Sequence, residues 1–286
     1  MYKTIVVHVD GSPLQESRLH ASALLARGFG AHVVGSAVTG VSWTELVLLA
    51  GSITAPVTSA DFDALRKTAD LHLHAFSGEA ARLGIESFET RLIEDVPQHG
   101  LLMQSRYADL VILSQDVDED SDRDGDGPGL AARSRRLPEH VALHGPRPVL
   151  VVPASYRGQP LPGTVVAGWD GSLQAIRALA AALPLLARAD KVNLALINPD
   201  ELSELHGEQP GADIALWLAR HGVRVEVVLE RTASTPGHAL ISLARDCGAG
   251  LMVCGVYGHS RYREWVLGGV TRELLTRAQV PLLIAH

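Results

Sequence analysis

Residues 4–12, TIVVHVDGS, return as TVVAGWDGS at residues 164–172. In each copy an apolar run ends in aspartate and a Gly-Ser pair, the pattern of a buried strand entering a turn. The closing segments repeat as well: RPVLVV at 147–152 and VPLLIA at 280–285 are apolar runs announced by proline. Two copies of one unit therefore lie head to tail. The expected domains are 1–153 and 164–286, joined by a linker at 154–163 where Gly158, Pro160, Pro162 and Gly163 interrupt regular structure. A chain of 286 residues has room for roughly two domains of about 150 residues each.

In the second copy, Val/Ile/Leu-rich runs fit strands at 164–169, 191–197, 223–229, 250–255 and 281–285. Amphipathic patterns fit helices at 172–188, 212–221, 236–247 and 270–278. Apolar strands alternating with amphipathic helices predict a parallel sheet covered on both faces. The first copy follows the same order, with strands near 3–9, 32–38, 86–93, 109–114 and 148–152. It adds two segments, 40–60 and an acidic, glycine-rich 115–129. The expected fold class is α/β: two tandem doubly wound domains, each a five-stranded parallel sheet with helices on both faces. The fifth strands are expected to pair, giving an intrachain pseudo-dimer and hiding two sheet edges. A homodimer of whole chains is compatible with that arrangement.

A net charge of −7 excludes a general nucleic-acid or anionic-membrane binder. Cys247 and Cys254 are not spaced as C-x-x-C, cannot build a disulfide framework and suit a reducing compartment. Residues 1–11 are interrupted too early by Asp10 for a secretory signal. No apolar run reaches the ~18–20 residues of a membrane span. The expectation is a soluble, cytoplasmic protein that meets neither nucleic acid nor membrane.

Gly255 and Gly258 stand at the exit of one predicted strand, and after nine residues Gly268 and Gly269 open a predicted helix. Glycines there let backbone N–H groups approach a ligand, and a helix N-terminus adds unpaired donors and positive potential. The natural guest is a phosphate chain. Neither the GxxxxGK[ST] loop nor the GxGxxG fingerprint is present. In doubly wound sheets ligands sit beyond the carboxyl ends of strands, where strand order switches. Asp170 and Gly255 end strands that are neighbours in the usual order, so both face one crevice. Asp170 is also suited to a turn or N-cap role before Ser172.

The spacing of Gly255, Gly258, Gly268 and Gly269, with Tyr257 to Arg261 and Gly268 to Arg272 around it, resembles the G-x2-G-x9-G-(S/T) nucleotide motif of the universal stress protein family in its tandem form. The resemblance covers essentially the whole chain and implies an adenine nucleotide α-hydrolase-like fold. Members with the motif are ATP-binding proteins. Carried over, Asp170 and Gly171 would lie by the ribose or adenine, with Asp170 near a magnesium ion brought by the nucleotide. Leu196 would mark where the second strand's end offers backbone to adenine. Gly255 and Gly258 would pass close to ribose and phosphates; His259, Ser260 and Arg261 would border the phosphates. Gly268, Gly269, Val270 and Thr271 would supply amides to the β- and γ-phosphates of ATP; AMP or ADP would use fewer of them. The family often has Ser or Thr where this chain has Gly269, a hydroxyl contact worth about 0.5–1.5 kcal/mol.

The first copy keeps Asp10, Gly11 and Ser12 but lacks the glycines. After residue 114 comes QDVDED, and the segment aligned with 268–271 is Arg135, Arg136, Leu137 and Pro138. Acidic charge repels a triphosphate, so one nucleotide per chain is expected, in the second copy. Residues 120–126 match the first half of an EF-hand loop, but Ala131 stands at its twelfth position, and a solvated acidic loop is the simpler reading. His72 and His74, two apart on a helix, do not share a face and read as solvent-facing or partly buried. No nucleophile and base stand out, so a regulatory nucleotide binder without dedicated catalysis is favoured. The alternatives are a slow ATP hydrolase or adenylate-transferring enzyme, and an interaction scaffold in which nucleotide is incidental.

Overall fold

The computed structural model describes residues 1–42, 44, 47–48, 59–115, 136–200, 209–257 and 269–286. Contacts divide the chain into an amino-terminal unit, Tyr2–Pro146, and a carboxy-terminal unit, Arg147–His286 with Met1. The amino-terminal unit runs β1 (Thr4–His8), α1 (Gln15–Phe29), β2 (His32–Val38), α2 (Ser59–Arg82), β3 (Phe88–Ile93), α3 (Pro97–Ser105), β4 (Leu110–Ser114) and α4 (Leu137–His144). Its strands lie in the order β3-β2-β1-β4, all parallel. The carboxy-terminal unit runs β5 (Val149–Val152), β6 (Thr164–Gly168), α5 (Leu173–Leu186), β7 (Lys191–Ile197), α6 (Ala212–Arg220), β8 (Val225–Glu230), α7 (Pro236–Asp246), β9 (Leu251–Gly255), α8 (Gly269–Arg277) and β10 (Leu282–Ala285). Its order is β5-β10-β9-β6-β7-β8.

These elements follow from local chemistry. Leu251, Val253, Val165 and Leu283 are fully buried in adjacent strands, and each such side chain stabilises the fold by roughly 1.5–3 kcal/mol. The α5 helix starts where the Ser172 hydroxyl accepts the Ala175 N–H at 3.1 Å. At α7 the Thr235 hydroxyl accepts the His238 N–H at 3.2 Å, and Pro236 follows in the first turn. Gly30 ends α1 in the left-handed region at φ 60°. The edge strand β8 is only partly buried.

The five parallel strands expected of the second copy are present, and the expected pairing of the two fifth strands is present with them; the strand count per contact-defined unit differs slightly from five. Strands β6 to β10 are parallel, but the carboxy-terminal unit also holds β5, which pairs antiparallel with β10 through Leu282↔Val151, Leu283↔Leu150 and Ile284↔Val149. Among its described residues the amino-terminal unit holds four strands, β1 to β4. Contacts divide the chain at 146/147, and the hydrogen bonds from β5 to β10 lie within the carboxy-terminal unit. The 154–163 segment is likewise attached there. The Tyr156 hydroxyl donates to Gln159 O at 2.7 Å, and the Pro160 and Pro162 carbonyl oxygens lie so close to Gly250 that a β-carbon would stand 2.7 and 2.8 Å from them.

Candidate functional site

Strand order reverses between β6 and β9: β7 and β8 lie on one side, β10 on the other. The carboxyl ends of β6 and β9 therefore flank the crevice where such sheets take ligands. The β6 ladder ends with Trp169 N–H donating to Ala195 O at 2.9 Å. Asp170 follows, exposed, and its Oδ1 accepts the Ser172 N–H at 2.9 Å across a turn in which Gly171 has φ 76°. The capping role belongs to Ser172; Asp170 shapes the turn. Among the described residues, the N–H groups of Asp170 and Gly171 carry no hydrogen bond.

Gly255 ends β9. A β-carbon there would stand 2.5 Å from the Gln174 carbonyl carbon and 2.9 Å from Gln174 Cβ, so the strand exit and the first turn of α5 meet backbone to side. Val256 N–H then donates to Ala285 O at 3.0 Å. Tyr257 adopts φ 58°, in the left-handed region that non-glycine residues rarely enter. Its N–H donates to Thr271 Oγ1 at 3.4 Å, and Thr271 is buried. That hydroxyl ties α8 to the strand exit. Gly269 is exposed and Val270 is half-buried in the first described turn of α8. Gly258, His259, Ser260, Arg261 and Gly268 lie outside the described residues, as do the acidic loop at 116–129 and most of 43–58.

Leu196 is buried within β7, paired with Leu229. The strand reaches the carboxyl edge at Ile197 and Asn198. Asn198 has φ 49°, and its side-chain amide pairs with Thr232 in both directions, Oδ1 accepting Thr232 N–H at 2.9 Å and Nδ2 donating to Thr232 O at 3.0 Å. Two strained backbones, Asn198 and Tyr257, thus stand at the carboxyl ends of β7 and β9. Such strain concentrates at functional sites. Cys254, beneath them, is buried, and burial pushes its thiol up to about 12; it is a packing residue. Among the described residues, no three His, Cys, Asp or Glu side chains cluster as a metal site.

The amino-terminal unit repeats the turn and reverses its surroundings. Asp10 Oδ1 accepts the Ser12 N–H at 3.0 Å, and Gly11 has φ 68°. Here the Gln15 Oε1 accepts both the Asp10 and Gly11 N–H groups, at 3.2 and 3.0 Å. The Arg18 guanidinium, 1% exposed, donates to Asp10 and to the Ser114 hydroxyl at the end of β4. The His72 ring lies over Gly11, its Cε1 2.8 Å from where a β-carbon would stand. Burial opposes ionisation of Asp10, yet Arg18, His8 and the Ser12 N–H hold its carboxyl at about 2. Burial, reinforced by the Arg18 charge, pushes His8 down to about 4, against the pull of Asp10. The His8 Nε2, Ser36 Oγ and Arg18 Nε atoms are buried without a hydrogen-bond partner among the described residues.

The sequence motifs do not disclose Arg18, Gln15 or His8. The signal is present only when the repeat is aligned beyond its Asp-Gly-Ser turns. Arg18 then corresponds to Ala178, Gln15 to Ala175 and His8 to Gly168. Ser114 corresponds to Gly255, the last residue of the equivalent strand, and Ser36 to Ala195 through equivalent register.

Residues 163–286 match the model of the universal stress protein family. A universal stress protein from Archaeoglobus fulgidus DSM 4304 is similar in structure over 99% of this chain and 97% of its own, at 15% identity and a TM-score of 0.70. A functionally unknown protein from Pseudomonas aeruginosa PAO1 aligns over 99% of this chain and 92% of its own, at 14% identity and a TM-score of 0.58. These two likenesses show the fold over both units. A universal stress protein in complex with cAMP covers 54% of this chain and 99% of its own, at 21% identity and a TM-score of 0.38. Comparison with the curated proteins gives no match. No helix among the described residues is long and apolar enough to cross a membrane.

Proposed function

The carboxy-terminal half of this chain belongs to the universal stress protein family, and from that premise we propose that the protein binds one adenine nucleotide per chain, ATP foremost, as a regulatory stress-response protein. The site is the carboxyl edge of the carboxy-terminal unit. One observation carries the reading: the turn after β6 presents an exposed carboxylate and two backbone N–H groups without partners among the described residues, beside Gly255 and at the switch in strand order. Backbone donors and the start of α8 suit phosphate. Magnesium arriving with the phosphates would meet Asp170. Binding would act by favouring one conformation or assembly over another.

Titration of the full chain with ATP and Mg²⁺ tests this. One saturable site is expected, with affinity lowered at least about tenfold in Gly269→Val, since a β-branched side chain crowds the approach to the first amides of α8. Absence of saturable binding, or unchanged affinity in the folded variant, would overturn it.

A further inference from the structure

We propose that Arg18 and Gln15 form an internal plug that closes the amino-terminal crevice, and that their replacement by Ala178 and Ala175 is what opens the carboxy-terminal one. The inference rests on the nucleotide-binding reading and adds what decides between the two crevices. In the amino-terminal unit the guanidinium bridges the ends of β1 and β4, the two strands between which the order reverses. It neutralises the one carboxylate of the turn and takes up the hydroxyl of Ser114. Gln15 consumes both turn amides. The turn carboxylate, both turn amides and the Ser114 hydroxyl are therefore already engaged by the chain itself.

The carboxy-terminal unit has the same turn with none of those occupants. Ala178 and Ala175 are buried and carry no polar atom beyond Cβ. Asp170 is exposed, and its N–H and that of Gly171 have no partner among the described residues. Two turns of equal geometry, closed by 3.0 and 2.9 Å hydrogen bonds to the following serine, thus differ in what stands beside them. An arginine paired to a carboxylate and hydroxyl is held by charge-assisted hydrogen bonds. A ligand entering that crevice would have to break them before making any of its own.

Moving the plug tests the inference. Ala178→Arg and, separately, Ala175→Gln are expected to lower ATP affinity at least about tenfold while the folded fraction and unfolding midpoint stay near those of the parent. The second variant decides alone if the first does not fold. ATP binding at parental affinity in either folded variant would overturn the plug. A readout without nucleotide accompanies it: amide exchange in the ligand-free full chain. The Gly11 amide is expected to be protected relative to that of Gly171, and Gln15→Ala is expected to release it. Equal exchange at Gly11 and Gly171, or no change in Gln15→Ala, overturns the plug. A parent that binds no ATP counts against the proposed function instead, and the exchange result then decides the plug by itself.

Discussion

His8 is buried next to an ion pair that it cannot join without taking up a proton beside Arg18. Its imidazole stays neutral, with its pKa pushed down to about 4, whereas in an unfolded chain it titrates near 6.5. Below that value the unfolded chain binds a proton that the folded chain refuses. The stability gained from the neutral ring is complete above about pH 6.5 and is lost as pH falls toward 4. The amplitude is about 3 kcal/mol at most. Asp10, held at about 2, acts in the same direction lower down, losing its contribution as pH falls from about 4 to 2. Urea unfolding of the parent should weaken between pH 7 and 4.5, and His8→Leu should remove most of that slope. Coincident slopes would assign the effect elsewhere. None of this is legible in the residue types alone. An arginine or histidine within an amphipathic pattern reads as a solvated face. Arg18 declares itself only against Ala178, and His8 only against Gly168.

Among elements, the boundaries were largely legible, and the reasons for particular residues less so. Val/Ile/Leu-rich runs marked β6, β7, β9 and β10 to within two residues of their observed ends, because burial favours apolar side chains, with Asn193 the buried polar residue within β7. Amphipathic pattern alone predicts the helix starts at 172 and 236; the structure supplies their cause, caps by Ser172 and Thr235, where the sequence reading offers Asp170 as the cap or turn residue. Gly255 was legible as a point of close approach, which the motif assigns to a ligand. The structure assigns that closeness to the first turn of α5. Gly255→Ala should therefore destabilise the protein by about 1–3 kcal/mol even without nucleotide, since backbone cannot swing aside as a side-chain tip can. Gly168→Ala should cost less, because its nearest neighbours are Cys254 Sγ at 3.2 Å and a Leu240 methyl at 3.4 Å. Denaturation midpoints of the two variants decide; equal loss would mean that α5 yields without cost.

At the scale of the whole molecule, the repeat predicts a boundary at 153 and contacts divide the chain at 146/147. Sequence similarity counts β5 with the first copy, since RPVLVV matches VPLLIA in position and composition. Contacts group it with the second, in which Val149, Leu150 and Val151 pair with β10. The repeat and the need to cover two edges predict the pairing of the two fifth strands; its antiparallel register, from Leu282↔Val151 to Ile284↔Val149, had to come from coordinates. The grouping of β5 has a measurable consequence. Ligand held at 100 times its dissociation constant stabilises the unit that binds it by about 2.7 kcal/mol. With saturating ATP, slowed amide exchange should extend through the core strands of the carboxy-terminal unit. It should include Val149 to Val152 while leaving β1 and β2 unchanged. Protection that stops short of β5 would show that this strand does not share the stability of the carboxy-terminal unit and would favour the boundary at 153. Protection spreading equally to β1 would mean that the two units unfold as one, and that occupancy of one crevice is sensed throughout the chain.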